Sequence, residues 1–181
     1  MKIMIPLAEG FEETEAITII DLLRRAQIET ITFSLTKEKL VKGSHDICVQ
    51  TDLTINEIQK EDFSGIVLPG GIPGSLHLRD SSEIIDFVNY FNSKKLLVAA
   101  ICAAPIVLGT AGILKDVLAC CYPGKEDGLS GAIISDTDVC ADGNIITAKG
   151  LAFSIAFSLE IINFLVGEET ANKIASGILF E

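Results

Sequence analysis

Positively charged residues are scarce in this sequence. Lysine and arginine together number 14, against 25 aspartates and glutamates, which gives a net charge of −11 and a pI of about 4.6. Such a chain repels nucleic-acid phosphates and has no basic stripe, so no nucleic-acid partner is expected. The excess of acidic side chains favours solubility instead.

Histidine and regularly spaced cysteine are scarce as well. The chain has two histidines and no Cys-x-x-Cys pair, so it predicts no zinc site, and no metal or other cofactor is expected. An odd number of irregularly spaced cysteines does not predict a disulfide framework and fits a reducing compartment. The five are Cys48, Cys102, Cys120, Cys121 and Cys140.

Long apolar runs are also missing, so no membrane partner is expected. Because Lys2 leads at once into a short strand and Pro6, with no cleavage pattern, no signal peptide is predicted and a cytoplasmic location is expected. The hydrophobic content of 49% argues against disorder. A chain of 181 residues is long enough for a real core, and we predict one domain over residues 1–181.

Short apolar runs alternate with segments of helical periodicity, which predicts an α/β fold. A mainly parallel sheet covered by helices on both faces is expected, with ligands bound beyond the carboxyl ends of the strands. Strands are predicted at 2–7, 29–35, 65–68, 96–100 and 117–122, short strand pairs within 40–50 and 139–146, and helices at 12–26, 81–92, 104–111, 153–166 and 168–176.

Cys102 follows an apolar strand at the point where the chain must turn into a helix. Small residues on either side, Ala100 and Ala104, are typical of a nucleophile elbow, and Pro105 suits the first turn of a helix. A helix N-terminus favours a thiolate, so a reactive Cys102 is predicted. The alternative is that Cys102 is a small buried apolar residue.

Three further positions are candidates for chemistry beside this cysteine. The amides of Gly71 and Ala103 are candidate oxyanion donors, although Pro69-Gly70-Gly71 also fits an ordinary turn and is no phosphate-binding motif. Glu15 borders the apolar face of the first helix, where a protonated carboxyl would donate to a thiolate or shuttle a proton; the alternative is a surface glutamate.

Tyr122 and His45 are candidates for the border of the same site. Tyr122 follows a predicted strand and can donate or accept a hydrogen bond, but its high ordinary pKa makes it a poor base. His45 and His77 lie in predicted loops, where a surface role is the simpler interpretation.

These motifs together resemble the DJ-1/ThiJ/PfpI superfamily, and the branch that contains the DJ-1 and ThiJ-type proteins in particular. The resemblance covers nearly the whole chain. It rests on residues 9–16 (EGFEETEA), 68–71 (LPGG) and 99–105 (AAICAAP), with similar segments at 147–150 and 165–167.

The resemblance implies a flavodoxin-like α/β sandwich with a cysteine nucleophile elbow, assembled as a homodimer. It also implies that Cys102 is the oxidation-prone cysteine, Glu15 its hydrogen-bonding partner, and Gly71 and Ala103 the oxyanion hole. Members of this family have been assigned cofactor-independent glyoxalase activity (methylglyoxal to lactate), deglycase activity, sensing of oxidative stress, chaperone function or, in the PfpI branch, proteolysis.

The chain departs from the family pattern at two places. Tyr122-Pro123 stands where many active members have a histidine before the proline, so protease activity is not expected and the glyoxalase prediction is weakened. Leu151-Ala152-Phe153 stands where related proteins often have Pro-Gly-Thr. His45 falls in a loop that the resemblance places near the dimer interface, where its imidazole could replace the missing one.

Two predictions of function follow, and a third is weaker. The first is an enzyme of the glyoxalase or deglycase type that acts on a small reactive carbonyl through Cys102. The second is a sensor or chaperone whose output is oxidation of Cys102 to a sulfinic acid. The third is an inactive relative with an unreactive cysteine.

Overall fold

The computed structural model describes residues 1–180, which form a seven-stranded sheet with helices on both faces. The central sheet has the order β10-β11-β7-β6-β1-β2-β5, and only the β10–β11 pair is antiparallel. The strands are β1 (Lys2–Leu7), β2 (Glu29–Ser34), β3 (Leu40–Lys42), β4 (Cys48–Gln50), β5 (Leu53–Thr54), β6 (Gly65–Leu68), β7 (Leu97–Ile101), β8 (Leu118–Ala119), β9 (Ile133–Ile134), β10 (Val139–Asp142) and β11 (Ile145–Ala148).

Six α-helices connect or flank these strands. They are α1 (Glu13–Arg25), α2 (Gly74–Asp80), α3 (Ser82–Ser93), α4 (Pro105–Thr110), α5 (Ser154–Val166) and α6 (Glu168–Gly177). Within residues 1–180, no helix combines the length and the apolar character that crossing a membrane would require.

Alternating side chains of β7 divide the core into two layers. Leu97, Ala99 and Ile101 pack on the side of α1 and α5, whereas Val98 and Ala100 pack on the side of α3 and α4. Because all five are fully buried, β7 runs through the middle of the molecule. The predicted α/β sandwich is therefore confirmed, and the end of β7 carries Cys102 to the carboxyl edge of the sheet.

Helix α1 forms because apolar residues recur at helical spacing and its first turn is capped. Ala16, Ile19 and Leu23 are fully buried on one face. The Glu12 side chain accepts a hydrogen bond from the amide of Glu15 at 2.6 Å, which satisfies a free donor at the start of the helix. This cap fixes the first turn and so places Glu15 below the site.

The structure differs from the sequence prediction in helix α2, in the segment 117–122 and in the short strands β5 and β9, which were not predicted. Helix α2 was not predicted, because Pro73 and Gly74 at its start are typical of a turn. The predicted strand at 117–122 is only Leu118–Ala119. Beyond it the backbone is held in other ways: the amide of Cys120 donates to the Thr147 hydroxyl at 2.9 Å, and that of Tyr122 donates to the carbonyl of Cys102 at 2.7 Å.

Candidate active site

Cys102 sits in a strained turn between β7 and α4. Its φ of 64° lies in the left-handed region that most residues avoid. Hydrogen bonds fix the strained conformation from both sides: the Cys102 amide donates to Ala148 at 2.8 Å, and its carbonyl accepts from Tyr122. Ala100 and Ala104 are fully buried around the turn. The predicted nucleophile elbow is therefore confirmed as geometry.

The Gly70-Gly71 turn approaches the cysteine so closely that neither position has room for a side chain. A Cβ on Gly70 would lie 2.5 Å from the Cβ of Cys102, and one on Gly71 would overlap the backbone nitrogen of Glu12. Gly71 also has a φ of 96°. The amides of Gly71 and Ala103 lie close enough to the sulfur to lower the pKa of the Cys102 thiol. The two predicted oxyanion donors therefore converge on the predicted nucleophile.

Glu15 is fully buried beneath the sulfur, so the surface-glutamate alternative is wrong. Its Oε2 accepts a hydrogen bond from the amide of Gly70 at 2.9 Å, and the carboxyl interacts with the thiol of Cys102. Oε1 has no well-formed hydrogen-bond partner. The Gly70 amide thus holds Oε2, whereas Oε1 is available for a hydrogen bond with the sulfur or with a bound molecule.

The protonation of Glu15 is poised near neutrality. Burial raises its pKa to about 7 and outweighs the hydrogen bonds from Cys102 and Gly70, while the nearby Glu12 raises it further. A group with a pKa near 7 both accepts and donates a proton readily at neutral pH, as general acid–base chemistry requires.

The pKa of the Cys102 thiol is raised, contrary to the sequence prediction. Burial is the largest cause, and the charge and hydrogen bond of Glu15 add to it, giving a pKa of about 12 despite the opposing amides of Gly71 and Ala103. Helix α4 has only six residues, and its N-terminus does not outweigh these effects. Between about pH 7 and pH 12, Cys102 and Glu15 therefore hold one proton between them.

Tyr122 lies at the rim of the site, next to Gly150. Its side chain is half exposed, and its ring stands beside the point where a Cβ of Gly150 would be. Its backbone anchors the elbow, because the Tyr122 amide donates a hydrogen bond to the carbonyl of Cys102. Tyr122 and Cys102 therefore both lie near Gly150, and a role for Tyr122 at the border of the site stays a prediction.

His45 lies outside the group around Cys102 and is bound to Glu13. Its Nδ1 is 3.0 Å from Glu13 Oε2, and its amide donates to Glu13 Oε1 at 2.7 Å. Burial opposes ionisation of Glu13, but the His45 side-chain and backbone hydrogen bonds outweigh it and lower the pKa of Glu13 to about 2. The same hydrogen bond raises the pKa of the His45 imidazole. His77 is placed elsewhere, with its ring against the carbonyl of Glu9.

Glu13 was not singled out from the sequence, because an acidic residue in a first helical turn is an ordinary helix feature. The carboxylates of Glu12 and Glu13 and the ring of His45 bring ligand-type atoms within 4.8 Å of one another. The carboxylate of Glu13 already accepts hydrogen bonds from Ser44, His45 and Ile47. These hydrogen bonds explain why Glu13 and His45 lie close together.

The cavity of about 170 Å³ at the carboxyl ends of β1 and β2 is separate from the chemistry. Its walls include Leu7, Ser34 and Val41, but not Cys102. Cys102 is itself half-buried. The converging amides and carboxyl therefore identify the site better than cavity volume does.

Comparisons with known proteins find similar sequences and folds along nearly the whole chain. The DJ-1/PfpI family model matches residues 1–164. Protein dj-1beta of Drosophila melanogaster is 35% identical over 178 residues, which cover 97% of this chain and 95% of that protein. Protein DJ-1 homolog A of Arabidopsis thaliana is 34% identical over 98% of this chain, which spans only 46% of that longer protein.

Among solved structures, the oxidized DJ-1 of Toxoplasma gondii superposes with a TM-score of 0.95 at 36% identity, over 99% of this chain and 98% of that one. The family model covers most of the chain, and both the fold and the sequence agree along its length. The chain therefore belongs to the DJ-1/PfpI family.

Proposed function

We propose that this protein is a cysteine-dependent enzyme of the glyoxalase or deglycase type that converts methylglyoxal to lactate without a cofactor. The observation that carries the proposal is the convergence on one sulfur of two backbone amides and a buried carboxyl whose pKa lies near 7. A nucleophile, oxyanion donors and a proton shuttle are what this reaction needs.

The first step is addition of the sulfur to the aldehyde carbon. Glu15 takes the thiol proton, the sulfur–carbon bond forms, and the carbonyl π electrons move to the oxygen. The amides of Gly71 and Ala103 stabilise the oxyanion that results. Since Glu15 becomes neutral in this step, its charge no longer opposes the thiolate.

The second step moves one proton between two adjacent carbons. Glu15 first returns its proton to the oxyanion, which becomes a hydroxyl, and so regains the carboxylate form. The carboxylate then removes the proton from the carbon bonded to sulfur, giving an enediol. It returns that proton to the neighbouring carbon while the hydroxyl proton passes to the neighbouring oxygen, which gives a thioester. Water then cleaves the sulfur–carbon bond and releases lactate. The overall reaction consumes one water and needs no oxidant or reductant.

A sensor role is the second candidate, because the same groups would stabilise an oxidised sulfur. Two molecules of hydrogen peroxide would oxidise Cys102 in two steps, first to a sulfenic and then to a sulfinic acid, and each would be reduced to water. The amides and a protonated Glu15 would then hydrogen-bond the sulfinate oxygens. The similar Toxoplasma gondii protein is described as oxidized in its structure. A chaperone output would follow from this oxidation rather than from turnover.

We further infer a homodimer in the cytoplasm. Ile17 and Ile47 are half exposed next to Glu13, whose Oε1 lies 3.4 Å from the amide of Ile47. An apolar face of this kind suits a second copy of the chain, and His45 would then lie at the interface. The free cysteines at all five positions fit a reducing compartment.

The test of the enzyme proposal is lactate formation from methylglyoxal by the parent protein and by Cys102→Ser and Glu15→Gln. We expect repeated turnover in the parent and a loss of at least about a hundredfold in each variant. Cys48→Ser, which removes an exposed thiol, is the control and should keep full activity. Absence of turnover in the parent would reject the enzyme and leave peroxide oxidation of Cys102 to be measured.

A further inference from the structure

Gly150 is a buried glycine that faces the reacting sulfur. A Cβ built on it would lie 3.5 Å from Cδ2 of Tyr122 and 3.9 Å from Sγ of Cys102. These are ordinary van der Waals separations, so the space beside Gly150 has room for one methyl group. Its walls are the glycine backbone, the tyrosine ring and the sulfur.

Neither backbone conformation nor packing requires a glycine here. Gly150 has φ 160° and ψ −166°, an extended conformation open to any residue. By contrast, a Cβ on Gly70 would collide with the Cβ of Cys102. The consequence of glycine at position 150 is therefore the open space next to the nucleophile.

We propose that Gly150 and Tyr122 form a subsite for a methyl-sized substituent of the carbonyl compound that Cys102 attacks. The proposal rests on the proposed function and names the part of the substrate that the site selects. In the adduct with methylglyoxal, three bonds separate the methyl carbon from the sulfur, a span that suits the 3.9 Å between Sγ and the subsite.

The chemistry of the walls suits an apolar group. The tyrosine ring offers an apolar surface, and the glycine backbone lets a substituent approach closely. Glyoxal, which carries hydrogen in place of the methyl group, would leave the subsite unfilled. The parent protein should therefore process methylglyoxal with a higher kcat/KM than glyoxal.

The test is to fill the subsite with the enzyme's own side chain. Gly150→Ala is expected to lower kcat/KM for methylglyoxal by about tenfold or more while changing that for glyoxal by less than about threefold. Tyr122→Ala should reduce the preference for methylglyoxal, and Tyr122→Phe should keep it because the ring provides the wall. Gly177→Ala, at a position with nothing near its Cβ, is the matched control.

Equal loss with both aldehydes, or no loss with either, in Gly150→Ala would overturn the subsite. A second readout separates this inference from the glyoxalase proposal: protection of Cys102 from iodoacetamide by each aldehyde. Stronger protection by methylglyoxal that disappears in Gly150→Ala supports the subsite even where lactate is not formed. Equal protection by the two aldehydes, or none, overturns it.

Discussion

At the scale of single residues, the chemistry depends on one proton shared by Cys102 and Glu15. Burial opposes charge on both groups, so the pair carries one negative charge rather than two between about pH 7 and pH 12. The form with the proton on Glu15 and the charge on sulfur is the nucleophile. The amides of Gly71 and Ala103 favour that form because they lower the pKa of the thiol.

A buried acid with a raised pKa should destabilise the fold at high pH. Below the unfolded pKa of 4.5, Glu15 is protonated in both states; between 4.5 and about 7 only the unfolded state ionises, so stability falls as pH rises. Glu15→Gln keeps an acceptor for the Gly70 amide and removes this cost. We expect it to raise the free energy of unfolding at pH 8 by on the order of 2–3 kcal/mol.

Chemical denaturation at pH 8 and pH 4 measures this effect. The gain should be present at pH 8 and nearly absent at pH 4. Glu169→Gln makes the same change of charge at an exposed position and is the control. A gain of equal size at the two pH values would contradict the raised pKa.

At the scale of elements, the site is built where three chain segments meet: the start of α1, the turn after β6 and the elbow after β7. The sequence was sufficient to predict the elbow, because small residues and a proline around a cysteine at a strand end are typical of that turn. The sequence did not decide whether Glu15 is buried or exposed, since its burial depends on how α1 packs on the sheet. The contact between Glu13 and His45 could not be predicted, because the two residues are 32 positions apart in the chain.

The thiol pKa shows a different limit of sequence reasoning. The order of strand and helix around Cys102 indicated a favourable helix N-terminus, but not the depth of burial or the charge of Glu15. Both come from contacts distant in sequence, and both act in the opposite direction.

The turn after β6 gives a prediction about stability. Gly71→Ala introduces a side chain at positive φ and against the backbone of Glu12, which cannot move aside. We therefore expect the free energy of unfolding to fall by at least about 3 kcal/mol. Gly112 also has a positive φ, of 72°, but nothing lies near its Cβ. Gly112→Ala should therefore lower the free energy of unfolding by only about 1 kcal/mol, which is the cost of placing alanine in a left-handed backbone conformation.

Urea denaturation of the two alanine variants compares these costs directly. Similar losses of unfolding free energy in Gly71→Ala and Gly112→Ala would show that the close approach of the turn to Glu12 is not a tight contact.

At the scale of the whole molecule, parallel strands bring the site to one edge of the sheet, and Ile17 and Ile47 are half exposed next to Glu13 in the first turn of α1. We expect a homodimer with twice the 19.4 kDa of one chain. Each copy carries a charge of −11, so the copies repel each other. Raising the ionic strength to about 0.15 M should therefore tighten the dimer by screening this repulsion.

Sedimentation measurements at low and moderate salt test the dimer. Ile47→Lys should shift the protein towards monomer, whereas Leu179→Lys, at an exposed position near the C-terminus, should not. A monomeric parent protein, or a dimer unaffected by Ile47→Lys, would contradict the assignment of this face.

The most direct test of the shared proton is the rate of Cys102 alkylation by iodoacetamide as a function of pH, followed by mass spectrometry of the Cys102 peptide. The parent rate should rise with pH up to about 7, where the pair loses its first proton, and then stay level until the second is lost near 12. Glu15→Gln should lose the step near 7. A parent rate that climbs steadily through this range, indistinguishable from that of Glu15→Gln, would show that the two residues do not share a proton.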